Sequence, residues 1–173
     1  MGKAQLNSQN ASAERSVTRQ TQFFSTLLEE GKGEGNMPKL FVHTRQGTFT
    51  AEARVRVAAG LTDLGIACEH LADTPKVRAG VWVFFTEHAP DAIFSGGQIA
   101  ANSMIGLVVY ALEGGLEGAS KQRLIAGATA ILVQHAGSND DQVPVYVVIR
   151  EVPEVNWGMY GKQVSLAALR ADG

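Results

Sequence analysis

Few side chains in this sequence have the type and spacing that chemistry needs. The four histidines, His43, His70, His88 and His135, are scattered without the close spacing that gathers metal ligands, so no metal site is expected. No phosphate loop, GxSxG elbow or dinucleotide fingerprint occurs, and no cofactor is expected; Gly114, Gly115 and Gly118 suit a turn into a helix instead. The single cysteine, Cys68, excludes an internal disulfide and lies in an apolar stretch that reads as buried. The arginines offer more. Arg45 follows one apolar run and Arg78 opens another, and a guanidinium there could hold a substrate carboxylate bidentately; the plainer reading is a solvated charge at a strand end. Pro38 stands directly after Met37 and ahead of Leu40-Phe-Val-His43. Inside a chain its nitrogen is an amide without basicity, and the residue merely opens an edge strand. At the start of a chain it would be a secondary amine, and an apolar pocket would disfavour its cation and bring its pKa down toward working pH.

The elements that would position these residues recur in two similar blocks. Leu40–His43 reads as a strand, and Thr50 caps a helix running to about Leu64, stopped by Gly65. Val55, Ala58, Ala59 and Leu61 would form its buried side, with Leu40 and Val42 of the strand lining any pocket near Pro38. Val77–Phe85 is a second strand, rich in β-branched and aromatic residues, followed by a loop with Pro90 and Gly96-Gly97. Met104–Leu112 reads as a third strand, Ser120–His135 as a helix with Leu124, Ile125, Ala128, Ile131 and Leu132 inward, and Val143–Ile149 as a fourth strand. Two parallel βαβ units with right-handed crossovers give an α/β (α+β) fold: one four-stranded sheet with both helices on one face. The other face stays apolar, and a homo-oligomer packing its sheets around an axis would cover it.

The chain has 173 residues and 18.4 kDa, enough for one domain with a sizeable core. A net charge of -2 and a pI near 6.1 argue against nucleic acid or an anionic membrane as the partner. No apolar run approaches the roughly 20 residues that span a bilayer, and the polar N-terminus does not read as a secretory signal, so a cytoplasmic protein is expected. Residues 1–36 are rich in Ser, Gln, Asn and Gly; they read as a flexible extension with at most a weakly amphipathic helix around Ala13–Glu30, leaving 37–173 as the domain. Gly31-Lys-Gly-Glu-Gly35, whose codons are purine-rich, reads as a translated ribosome-binding site ahead of a start at Met37.

Several segments, in order, resemble the tautomerase superfamily. Met37-Pro38 precedes the first strand, and Pro38 through Asp63 is similar to the first strand and helix of the cis-3-chloroacrylic acid dehalogenase branch, with Thr50, Ala53, Val57, Ala58, Thr62 and Asp63 in matching positions. Thr86-Glu-His-Ala-Pro-Asp-Ala-Ile-Phe-Ser-Gly-Gly97 resembles a loop shared by that branch and macrophage migration inhibitory factor, and Val145 through Gly158 resembles the last strand and following turn. The resemblance covers residues 37–160. It implies a homotrimer in which Pro38, exposed by removal of Met37, is the catalytic base or acid. It also implies a small 2-oxo acid or enol as substrate, no cofactor, Arg78 among substrate-facing polar groups, Tyr146 as the aromatic residue of the last strand, and Tyr110 within reach of the site. Asn156, Trp157 and Tyr160 would form a turn against a neighbouring subunit.

The departures from the dehalogenase pattern are specific. Its helix-end histidine falls on Gly65, its two arginines near Leu112 and Gly115, and its last-strand tyrosine and later glutamate on Val148 and Met159. Keto–enol tautomerisation, which asks for one base near neutral pKa and a pocket, is therefore the expected activity. The alternatives are a non-catalytic relative in which the extension blocks Pro38, and a hydratase or dehalogenase with a rebuilt pocket.

Overall fold

The computed structural model of the chain describes residues 38–100, 104–137 and 143–171. The expected extension 1–36 and its helix lie outside the described residues. Strand β1 (Lys39–Arg45) leads to helix α1 (Ala51–Cys68), a short helix α2 (Pro75–Gly80), strand β2 (Trp82–His88) and a small hairpin, β3 (Phe94–Ser95) and β4 (Gln98–Ile99). Strand β5 (Ile105–Leu112), helix α3 (Gly118–His135) and strand β6 (Val145–Val152) repeat the pattern. A 3-10 turn at Glu154–Asn156, a second hairpin, β7 (Gly158–Met159) and β8 (Lys162–Gln163), and helix α4 (Leu166–Ala171) complete the order.

The sheet has the order β2-β1-β5-β6. β1 and β2 are parallel, β5 and β6 are parallel, and β1 and β5 join the two units antiparallel at the centre. The expected fold is therefore present: two βαβ units in one four-stranded sheet. Leu40 and Val42 of β1, Leu107 and Val109 of β5, Val57 and Leu61 of α1, and Leu124, Ala128 and Leu132 of α3 make the buried core between sheet and helices. The two helices approach through glycines placed reciprocally. A Cβ on Gly60 would lie 3.3 Å from Ile131, and one on Gly127 would lie 2.9 Å from the Leu64 methyls, so each large side chain seats on the other helix's backbone.

Local chemistry explains where the elements depart from expectation. The Thr50 hydroxyl accepts from the Ala53 N–H and caps α1 as foreseen, but the helix runs through Gly65 to Cys68. Gly65 serves close packing instead of termination: a Cβ there would be 3.0 Å from Pro38 Cγ. Thr74 and Pro75 start a helical turn, with the Thr74 hydroxyl accepting from the Val77 N–H, so residues 77–80 are helical and the strand begins only at Trp82. Val55 points to solvent at 70% exposure, and Ile125 is also exposed, while Val57 takes the buried position. The hairpin loops Gly96-Gly97 and Tyr160-Gly161 have φ of 59° and 80°, and 51° and 76°, the left-handed backbone that two-residue turns between twisted strands require.

Because the α1–α3 contact has no spare volume, Gly127→Leu is expected to lower stability by about 1–3 kcal/mol in spite of its better helix propensity. A urea unfolding midpoint compared with the parent chain measures this.

Candidate active site

Alternation along β1 sends Leu40, Val42 and Thr44 into the core under the helices and leaves Lys39, Phe41 and His43 on the opposite face. Register across the sheet then sets rows of neighbours on that open face. Trp82, Lys39, Tyr110 and Arg150 form one row, and Phe84, Phe41, Val108 and Val148 the next. Six of these residues, Trp82, Lys39, Tyr110, Phe84, Phe41 and Val108, are the floor of a cavity of about 770 Å³, lined also by His43 and by Val152, Asn156, Trp157, Gly158, Met159 and Tyr160 from the C-terminal segment. The expectation that Leu40 and Val42 line the pocket is thus corrected, since both are fully buried on the helix side.

The walls are ordered by aromatic contacts. Phe41 stacks on Phe84 with centroids 4.8 Å apart and meets the Tyr110 ring edge-on at 5.6 Å, while the Arg150 guanidinium lies 5.9 Å over Tyr110. The C-terminal segment is held by a small second core of Leu112, Val164 and Leu169, against which Trp157 and Met159 pack. Glu154 fixes the join by accepting from the Leu166 N–H at 2.7 Å, at the start of α4.

The one lysine in this lining is Lys39, a residue that pattern reading passed over. Its ammonium donates to the Gly80 carbonyl at 2.7 Å and lies 4.9 Å from the Trp82 ring and 6.0 Å from the Trp157 ring. Burial disfavours the charged form and brings the amine down to about 8, with the Glu69 carboxylate acting in the opposite direction. The available signal was its place: one residue after Pro38, on the face opposite Leu40 and Val42.

Pro38 is buried at the head of β1, its ring against Gly65 of α1, and is followed directly by the cavity-lining Lys39. Tyr110 is in the cavity wall. The other proposed substrate contacts are not brought there. Arg78 sits on α2 rather than opening a strand, and its guanidinium donates to Asp63 at 2.6 Å and to both oxygens of Asp73 at 2.6 and 3.0 Å, which holds it more firmly protonated than usual. Arg45 ends β1, roughly 20 Å along the strand from Lys39. Tyr146 is exposed on the open face, its ring so close over Gly106 that a Cβ there would lie 2.6 Å away. It lines a second cavity of about 330 Å³ with His43 and His88, whose ring nitrogens share a 3.3 Å hydrogen bond. Among the described residues, no three His, Cys, Asp or Glu side chains gather as a metal site would require, and no helix is long and apolar enough to cross a membrane.

Residues 107–167, from β5 into α4, match the family described as tautomerase enzyme. Among solved structures, a native fused 4-OT (4-oxalocrotonate tautomerase) aligns at 20% identity and TM-score 0.60, over 72% of this chain and 94% of its own. The matched segment and the fold are similar to those of the tautomerase superfamily. N1, a member of the cis-3-chloroacrylic acid dehalogenase family, aligns at 24% identity and TM-score 0.56, over 73% and 83% of the two chains. Macrophage migration inhibitory factor of Toxoplasma gondii shares this tautomerase fold at 15% identity and TM-score 0.56, over 73% and 99%. No curated protein sequence matches the chain.

Lys39 titrates at about 8 in the folded chain and at 10.5 when solvated, so between these values the unfolded chain binds more protons than the folded one. Its charge therefore opposes folding below pH 8, and that penalty is relieved as pH rises to 10.5. Lys39→Met is expected to raise the melting temperature at pH 7 by a few degrees, an advantage that shrinks by pH 10.5 (about 2–4 °C per kcal/mol for a chain of this size). Thermal unfolding of both chains at the two pH values measures the difference.

Proposed function

We propose that this protein is a tautomerase that interconverts keto and enol forms of a small 2-oxo acid, with the Pro38 nitrogen as general base in a chain that begins at Pro38. The observation that carries this reading is the placement of Pro38: buried at the head of β1, against Gly65, and joined directly to the first residue of the aromatic cavity. As a secondary amine there, the nitrogen takes a proton from the carbon beside the substrate carbonyl and delivers it to the resulting enolate oxygen; in the ketonising direction it takes the enol O–H proton and delivers it to that carbon. Phe41, Phe84 and Tyr110 give a flat apolar surface for the planar enol. A hydratase or dehalogenase needs a group to activate water. Of the described residues that line the cavity none is Asp or Glu, and Met159 stands where the dehalogenase pattern has its glutamate.

A trimer belongs to the same proposal. Trp82, Phe84, Tyr146 and Val148 on the open sheet face are 40–56% exposed, an apolar surface that a neighbouring copy would cover. Fused 4-OT structures with this fold are described as symmetric and asymmetric trimers. A cytoplasmic setting, a domain beginning near residue 37 and the absence of any cofactor complete the reading.

Expression from Met37, with methionine removal confirmed by intact mass, is expected to give a protein that ketonises phenylenolpyruvate well above the solution rate and elutes with the mass of three chains. Pro38→Ala should lower kcat/KM by about 10²-fold or more, and so should retention of residues 1–37, which leaves the nitrogen an amide. Full activity in either protein would overturn the role given to Pro38. A chain that begins at Pro38 and still does nothing to the enol would favour a non-catalytic relative.

A further inference from the structure

We propose that the Lys39 ammonium is the carboxylate-binding group of this cavity, and that the site takes acids with a single carboxylate. The proposal deepens the tautomerase reading by naming what orients the substrate, and its binding test does not depend on turnover.

Three observations carry it. First, the cavity's charge is one-sided: of its described lining residues none is Asp, Glu or Arg, and Lys39 is the one lysine. A carboxylate entering an apolar space binds where an opposite charge is fixed, because the interaction is stronger there than in water. Second, the ammonium is held in place. The hydrogen bond to Gly80 anchors it, and the indoles of Trp82 and Trp157 flank it at 4.9 and 6.0 Å. Third, Lys39 is covalently next to Pro38, so an acid held by its carboxylate at Lys39 presents the adjoining carbonyl carbons at the head of β1. The cations expected on sequence grounds are elsewhere: Arg78 is engaged by Asp63 and Asp73, and Arg45 lies at the far end of β1. Arg150 stands beyond Tyr110 in the same row and does not line the cavity, which leaves one lysine or arginine anchor among the described lining residues and hence selection for a monocarboxylate.

Charge at Lys39 makes binding pH-dependent. Among the described residues, the titratable groups around it include Glu69 at the end of α1, which favours the ammonium, and His43, Tyr110 and Tyr160, which share the cavity lining. Above about 8 the amine loses its proton, and carboxylate affinity is expected to fall about tenfold per pH unit, while affinity for a neutral ligand of the same shape stays constant.

The chain's two tryptophans are Trp82 and Trp157, so intrinsic fluorescence excited at the indole edge reports on this site alone. The test is a titration of the full chain with phenylacetate, its neutral isostere phenylacetamide, and 1,4-phenylenediacetate. Phenylacetate should bind at least about tenfold tighter than the amide at pH 7, the diacid should gain nothing over the monoacid, and the acid's advantage should vanish by pH 10. Lys39→Gln should erase the preference and Lys39→Arg should keep most of it. Equal affinity for acid and amide in the parent chain, a preference that survives in Lys39→Gln, or a diacid that binds much the tighter would overturn the proposal. Because the probes have no keto group, a positive binding result with an inactive chain would count against Pro38 and leave Lys39 standing. Enol turnover without a carboxylate preference would do the reverse.

Discussion

A β-strand sends neighbouring side chains to opposite faces, and the head of β1 shows what that constraint does to two adjacent residues. The ring of Pro38 is pressed against α1, where Gly65 leaves it room, while the next side chain emerges among aromatic rings on the other face of the sheet. Everything else about the site follows from this division. The helix side must be glycine at residue 65, and the open side must accommodate a lysine whose charge has been taken largely out of water.

That accommodation is the work of the C-terminal segment. A lone ammonium on a two-layer sheet face would stay solvated, but the turn after β6 brings Trp157 over Lys39, and Leu112, Val164 and Leu169 anchor the turn from below. The indoles offer their negative faces to the cation, a partial substitute for the hydration it has lost. The same segment contributes Met159 and Tyr160 to the cavity, so one short hairpin both closes the pocket and tunes the charge within it.

Period and punctuation made the fold legible. Two runs of alternation, each followed by a helix-period run with Thr50 or a glycine turn ahead of it, sufficed for the two βαβ units and the single helix-covered face. Errors arose where local chemistry outweighed composition: Thr74-Pro75 turned an apparent strand start into a helical turn and carried Arg78 away from the sheet. Register was legible only in part. The sequence reading set Leu40 and Val42 at the pocket where the structure has Phe41, because deciding which face is open requires knowing where the helices pack. Lys39 escaped notice for a related reason: a lysine at a strand end reads as solvated, and its burial depends on Trp157, more than a hundred residues later.

The antiparallel join between β1 and β5 makes the two βαβ units head in opposite directions, so the sheet carries an approximate twofold relation between its ends. The relation is geometric and not chemical. One end holds an ammonium between indoles; the other holds a pair of hydrogen-bonded imidazoles beneath a tyrosine, with Gly106 instead of a side chain on the floor. A fold with two matching corners has thus been furnished differently at each. Any ring of copies built on the open faces would carry two kinds of niche in alternation, free to change independently of one another.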